Sequence, residues 1–118
     1  MSTHRDVVQQ AALDIGLMRS GESMDGTNYG ELLAQFERYL RVWDEDLGLD
    51  FDPLDANNVP AKRVPYLAEY FMYHPCFDRF DSKNGRIQRR TELRLARLRL
   101  AAALEHETDY ESPGPENF

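Results

Sequence analysis

Residues 28–48, NYGELLAQFERYLRVWDEDLG, decide the fold class of this chain. Large apolar side chains recur in this stretch at steps of three and four residues, with charged residues and amides between them. The members of this apolar series are Leu32, Phe36, Tyr39, Leu40, Trp43 and Leu47. Such steps place side chains on one face of an α-helix. We therefore predict an amphipathic helix that begins at Thr27 or Asn28 and ends at residue 47, before Gly48.

A shorter helix is predicted upstream, over residues 4–15. Thr3 can accept a hydrogen bond from an unpaired amide of the first turn, and Asp6 places a carboxylate near the positive end of the helix. Gly16 can adopt the left-handed conformation that commonly ends a helix. Residues 17–26 are rich in Ser, Gly and Asp and are predicted to form a loop.

Two further helices are predicted downstream. The third covers residues 64–74, where Pro65 favours a late or kinked start and Pro75 ends the helix. The fourth covers residues 86–107 and follows a polar turn that closes at Gly85. The chain is therefore predicted to be all-α, a compact bundle of about four helices.

The fourth helix carries two apolar stripes instead of one. The first consists of Ile87, Thr91, Leu95, Leu98 and Ala102. The second consists of Leu93, Ala96, Leu100 and Ala103. Two stripes on one helix predict burial on more than one side. In a chain of 118 residues the second side is more easily covered by a neighbouring subunit than by the chain's own core.

The length and composition predict one folded domain with a polar extension. The 118 residues suffice for a single core, and 42% of them are apolar. We assign residues 1–107 to the helical domain and residues 108–118 (TDYESPGPENF) to an extended acidic C-terminal tail. No apolar run has the length of a signal peptide or of a membrane span, so we expect synthesis in a cytoplasm and no membrane contact.

Charge is divided unevenly along the chain, although its sum is −7. Residues 1–78 carry a net charge of −8, residues 79–100 a net charge of +6, and residues 101–118 a net charge of −5. The acidic total argues against wrapping of duplex DNA, because phosphate binding depends on Lys and Arg. The basic block itself has three interpretations: a solvated face, a surface that docks on an acidic protein, or a nucleic-acid contact.

Residues 44–55 form an acidic segment of twelve residues, which is the length of an EF-hand calcium-binding loop. Counted from Asp44, the sixth position is Leu49, where an EF-hand requires glycine, and the twelfth is Asp55 instead of glutamate. The EF-hand interpretation therefore fails, and a solvated acidic loop is favoured over a loose site for a divalent cation.

Catalytic and metal-binding patterns are not found in the sequence. His4, His74 and His106 are far apart and follow no ligand spacing. Cys76 is the single cysteine, so no internal disulfide can form. The dipeptide of His74 and Pro75 before Cys76 lacks a third group to orient a base. We therefore predict no catalytic residue, no metal site, no cofactor and no enzymatic activity.

The order of these elements resembles that of small head-to-tail adaptor proteins (tail accessory or head-completion proteins) of short-tailed bacteriophages. The similarity covers roughly residues 5–105. The features that carry it are Ala12, Leu13 and Gly16 at the end of the first helix, Gly21–Glu22 in the loop, Trp43 and Gly48 at the end of the second helix, and Val59–Pro60. The third helix departs from the family pattern, since it is rich in tyrosine and contains Pro65.

The resemblance implies a structural protein of the virion, located at the junction of portal and tail. Such adaptors form a ring, commonly of twelve copies, beneath the portal, extend the channel for DNA ejection and provide the platform for the tail or nozzle protein. Genomic DNA passes through without sequence-specific contacts. The family's C-terminal segments reach along the portal protein. Here that role would belong to the tail, with its non-polar residues Tyr110, Pro113, Pro115 and Phe118 as anchors.

Docking between neighbouring subunits is predicted from the charge pattern. The arginines proposed for it are Arg86, Arg89, Arg90, Arg94 and Arg97. The acidic residues proposed to face them on a neighbour or partner are Asp50, Asp52 and Asp55. The alternative is a small helical regulatory or nucleic-acid-associated protein that uses the arginines of the fourth helix as its contact.

Overall fold

The structure is a computed structural model that describes the backbone of residues 2–17 and 26–111 and the side chains of residues 2–17 and 29–105. Four α-helices account for most of it: α1 (His4–Ile15), α2 (Gly26–Leu47), α3 (Val64–Met72) and α4 (Arg86–Glu111). Two short 3₁₀ segments, Ala61–Arg63 and Pro75–Phe80, flank α3. The described residues contain no strand, only an isolated bridge between Ser2 and Val59. The predicted all-α class with about four helices is confirmed.

Local signals set the ends of α1 where the sequence placed them. The Thr3 hydroxyl accepts a hydrogen bond from the amide of Asp6 at 3.1 Å, and the Asp6 carboxylate accepts one from the amide of Thr3 at 2.9 Å. This reciprocal capping satisfies two amides that the helix cannot pair internally. Gly16 follows the last turn with φ of 84°, a left-handed conformation that side chains other than glycine adopt at a cost.

Helix α2 buries the face that its periodicity predicted. Leu32, Phe36, Leu40 and Trp43 are at most 2% exposed. Gly48 ends the helix with φ of 74°. The predicted loop at residues 17–26, which includes Gly21–Glu22, lies mostly outside the described residues, and α2 already begins at Gly26.

Helix α3 begins late, as Pro65 predicted. Pro65 lies in the first turn, where its missing N–H removes no helical hydrogen bond. The helix ends at Met72, two residues before the predicted end, and Pro75 then opens a 3₁₀ segment that the sequence analysis did not predict.

The core is centred on α3, which packs against both α1 and α4, while α1 also packs against α2. Phe71 of α3 is fully buried and meets Phe36 with ring centroids 5.1 Å apart. Trp43 and Tyr70 approach to 4.7 Å. Aromatic contacts therefore join α2 to α3 in the middle of the bundle.

Helix α4 continues beyond its predicted end at residue 107 and reaches Glu111. The predicted start of the tail at residue 108 therefore falls inside the helix. Tyr110 belongs to the helical backbone, and its side chain is outside the described set. Pro113, Pro115 and Phe118 lie outside the described residues. No described helix is long and apolar enough to cross a membrane.

Candidate docking surface on the fourth helix

The two apolar stripes of α4 differ sharply in burial. In the second stripe, Ala96 and Leu100 are fully buried against the core. In the first, Ile87 is 81% exposed, Leu98 60% and Leu95 40%. Thr91 and Ala102 are exposed as well. Within the chain, α4 is therefore buried on one side only, and the predicted cover of its second side by a neighbouring subunit stays a prediction.

We name the exposed series of Ile87, Thr91, Leu95, Leu98 and Ala102 the outer stripe. Its members share one face of α4, because successive residues of an α-helix are rotated by 100°. Their exposure shows that this face points away from α3. The stripe is about 22 Å long, since fifteen residues separate its ends at 1.5 Å each. Single exposed aliphatic side chains are common on proteins, but a series on one face of a helix is a candidate for an interaction surface.

Half of the eight basic side chains in residues 79–100 are neutralised within the chain. Arg79 pairs with Glu31 at 2.9 Å. Arg97 pairs with Asp46 at 2.7 Å, and Arg99 pairs with Glu69 at 2.6 Å. The fourth is Arg89, which is buried. The net charge of +6 counted from the sequence is therefore larger than the charge that this block can present to a partner.

Arg89 is 5% exposed and bonds only inward. Its guanidinium donates hydrogen bonds to Asp78 at 2.8 Å and to Asp81 at 2.5 Å. It also donates to the carbonyl oxygens of Met72 at 2.8 Å and His74 at 3.1 Å. Arg89 therefore joins the start of α4 to the segment after α3. Its inclusion among the docking arginines is corrected, because no surface is left for a partner to contact.

The Asp81 carboxylate, whose side chain is 3% exposed, is fully hydrogen-bonded. Besides Arg89, it accepts bonds from the amides of Lys83 at 3.0 Å and Asn84 at 3.1 Å, and from the Asn84 side chain at 3.1 Å. Burial alone would raise the pKa of Asp81. The bonds from Asn84, Arg89 and the backbone outweigh burial and lower the pKa to about 2.

This lowered pKa predicts how stability depends on pH. A carboxyl group with a lower pKa in the folded state stabilises that state above its unfolded pKa, and the stabilisation is lost as the carboxyl is protonated. We expect the stability gap between wild type and Asp81→Asn to shrink as the pH falls from about 4 to about 2. Urea midpoints measured across this range check the prediction. A gap that stays constant from pH 5 to pH 2 would contradict it.

Three arginines of α4 remain available to a partner: Arg86, Arg90 and Arg94, which we name the free arginines. All three are exposed, and none forms an ion pair or side-chain hydrogen bond with another described residue. Arg90 lies three residues after Ile87, and Arg94 lies four residues before Leu98. Both therefore border the outer stripe on the helix surface.

The carboxylates of the acidic segment, residues 44–55, also divide into some that pair with arginines of the chain and some that do not. Asp46 still belongs to α2 and pairs with Arg97. Asp50 accepts three hydrogen bonds from the guanidinium of Arg63, the shortest at 2.6 Å, and Arg63 is only 1% exposed. Asp50 therefore helps to fix the loop internally. Its side chain is still 32% exposed, and its role in docking on a neighbour stays a prediction.

Asp52 and Asp55 remain free of basic partners within the described part of the chain. Each accepts a hydrogen bond from a backbone amide two residues later, Leu54 for Asp52 and Asn57 for Asp55. Leu54 is 69% exposed between them. We name residues 48–58 the acidic loop. It presents one aliphatic side chain between two carboxylates.

The described residues contain no group of three or more His, Cys, Asp or Glu placed to hold a metal ion. Burial raises the pKa of the Cys76 thiol to about 11, so the thiol is protonated at neutral pH. Burial also lowers the pKa of His74, whose Nδ1 lies 2.7 Å from the Tyr70 carbonyl oxygen. Cys76 lines an open cavity of about 500 Å³ together with Pro75 and Arg79 of its own segment and residues of α2.

Comparison of the chain with protein-family models, curated proteins and solved structures finds no match.

Proposed function

We propose that this chain is a structural subunit of a virion, a head-to-tail adaptor that forms a ring beneath the portal. The observation that supports the proposal is the surface of α4, where the outer stripe faces away from the core and is bordered by Arg90 and Arg94. The apolar side chains of this surface stay in contact with water in an isolated monomer, while a subunit of an assembly can bury them. The resemblance of residues 5–105 to phage adaptors supplies the kind of assembly.

The chemistry of the described residues favours binding over catalysis. A nucleophilic cysteine requires a thiolate, and the raised pKa of Cys76 keeps the sulfur protonated. The lowered pKa of His74 keeps its imidazole neutral, and its Nδ1 is occupied by the Tyr70 carbonyl. Neither group is therefore prepared for covalent chemistry.

The C-terminal residues are proposed to bind the portal protein. Tyr110, Pro113, Pro115 and Phe118 provide apolar anchors in a segment that is otherwise acidic and polar. A segment of this composition can order on a partner that supplies the apolar surface, and the apolar anchors then offset the entropy lost in ordering. The tail or nozzle protein would then attach to the opposite side of the ring, and genomic DNA would pass through it.

Truncation tests this assignment against the portal ring encoded in the same genome. We expect that deletion of residues 108–118 abolishes formation of the adaptor–portal complex, because the apolar anchors are lost. The loss should be seen as the absence of added mass in native mass spectrometry. Far-UV circular dichroism should still report a folded helical domain, because the core residues lie upstream of the deletion.

A second variant separates loss of the anchors from loss of the last helical turn. Tyr110→Ser with Phe118→Ser keeps the full length and should also lose portal binding. Portal binding that survives in both variants would contradict the assigned role of the tail. Failure of the wild-type chain to bind the portal ring would contradict the adaptor function itself.

The alternative, a nucleic-acid-associated protein, is less well supported by the surface of α4. The free arginines are only three, and exposed aliphatic side chains of the outer stripe lie beside them. Phosphate contacts from three arginines would give a shallow salt dependence, with a slope of roughly −3 in a plot of log K against log salt. Tight binding of random duplex DNA by the wild-type chain would favour this alternative over the adaptor.

A further inference from the structure

We infer that the outer stripe of one copy binds the acidic loop of a second copy, in a head-to-tail contact. The inference deepens the proposed function, since it specifies how neighbouring subunits of the ring touch each other. Leu54 of the loop would lie against Leu95 and Leu98 of the stripe. Asp52 and Asp55 would meet Arg90 and Arg94 beside it.

Charge excludes the simpler arrangement in which two copies pair through the same surface. A two-fold contact between two α4 helices would bring the free arginines of one copy close to those of the other. Like charges facing each other across an interface cost several kcal/mol. Acidic residues opposite the outer stripe avoid this cost, and within this chain they lie outside the basic part of α4.

The acidic loop meets this requirement with described side chains. Its two free carboxylates and its exposed Leu54 reproduce, with opposite charge, the pattern of an aliphatic side chain bordered by arginines. Burial of Leu54 against Leu95 and Leu98 removes apolar surface from water on both sides of the contact. Opposite charges at its border then fix the register.

The loop is held in place before any partner binds. The buried Arg63 clamps Asp50. The Ala56 carbonyl oxygen accepts a hydrogen bond from the His4 amide at 2.9 Å, and Val59 exchanges two backbone hydrogen bonds with Ser2. A loop that is already ordered loses little conformational freedom on binding, so more of the contact energy remains as affinity.

The surface is small, and its size limits the expected affinity of the contact between two copies. A stripe about 22 Å long and one helix wide covers less than the roughly 800 Å² per partner of a standard interface. We therefore expect weak pairwise association, with a Kd on the order of 100 μM, that weakens further as salt screens the exposed charges. Since the two surfaces are different, each copy can bind two neighbours, and closure of the series gives a ring.

Charge reversal on each side tests the contact without the portal. Sedimentation velocity at low salt measures self-association of wild type, of Arg90→Glu with Arg94→Glu, and of Asp52→Arg with Asp55→Arg. We expect each double variant to associate at least tenfold more weakly than wild type. A mixture of the two variants should recover association, because the reversed helix of one variant then meets the reversed loop of the other.

Arg38→Glu with Arg41→Glu is the matched control, since these two exposed arginines of α2 undergo the same change of charge. It should associate as wild type does. The apolar part of the contact is tested by Leu54→Ser and Leu98→Ser, which should each weaken association while leaving the circular dichroism spectrum unchanged.

Three results would overturn the inference: a wild type that stays monomeric at millimolar concentration, undiminished association of Asp52→Arg with Asp55→Arg, or an equal loss in the control. Failure here with portal binding intact would remove this contact and leave the adaptor function standing. Self-association without portal binding would support this contact and contradict the adaptor function.

Discussion

Replacement of Arg89 by alanine is expected to lower the free energy of unfolding by about 3–5 kcal/mol, because it breaks a buried ion pair on one side only. The Asp81 carboxylate, 3% exposed, would lose its cation and remain in the interior. The carbonyl oxygens of Met72 and His74 would lose their donor as well. Urea denaturation followed by far-UV circular dichroism measures the change.

The neighbouring residue provides the control for this prediction. Arg90→Ala removes the same side chain from an exposed position without an internal partner, and it should change stability by about 0.5 kcal/mol or less. Arg89→Lys should recover only part of the loss, since one ammonium group cannot reproduce a fork that reaches four acceptors. Equal stability losses for Arg89→Ala and Arg90→Ala would contradict the assigned role of Arg89.

The difference between Arg89 and Arg90 also shows which features of the fold can be predicted from the sequence. The helix ends at Thr3, Asp6 and Gly16 depend on contacts within a few residues, so local patterns predicted them correctly. Arg89 precedes Leu93 by four residues and therefore lies on the buried stripe. That spacing was available in the sequence, but the residue was assigned by its charge instead of its position.

Pairings between distant segments left no local signal. Asp50 and Arg63 are thirteen residues apart and meet only because the acidic loop folds back on the start of α3. Asp46 and Arg97 belong to different helices, 51 residues apart. The charge of each residue was evident from the sequence, but its partner depends on tertiary packing. The free carboxylates and free arginines could therefore be separated from the paired ones only in the structure.

The start of α3 was predicted from proline chemistry, but its surroundings were not. Pro65 was expected to delay or kink the helix, and it delays it. The 3₁₀ segment at Pro75–Phe80 escaped prediction because its six residues are too few to show a helical period. Its Phe77 is nevertheless fully buried against Phe71.

Replacement of Trp43 by alanine is expected to cost about 3–5 kcal/mol of stability, because it removes the largest side chain from the junction of α2 and α3. Trp43 is 2% exposed. Its ring centroid lies 4.7 Å from that of Tyr70, 5.3 Å from that of His74 and 5.9 Å from that of Phe36. Phe36 belongs to α2 and Tyr70 to α3, so the space cannot close without movement of one helix, and a cavity would remain.

The single tryptophan determines how unfolding is measured, and the adjacent residue of α2 provides the control. Trp43 is the single tryptophan, so unfolding of the variant must be followed by far-UV circular dichroism instead of fluorescence. Val42→Ala changes the adjacent residue, which is 56% exposed, and should cost about 0.5 kcal/mol or less. Trp43→Phe should lie between the two, since it keeps an aromatic contact and leaves a smaller cavity. If Trp43→Ala and Val42→Ala were equally stable, α2 would not be held to α3 through this cluster, and its place in the bundle would depend on its packing against α1.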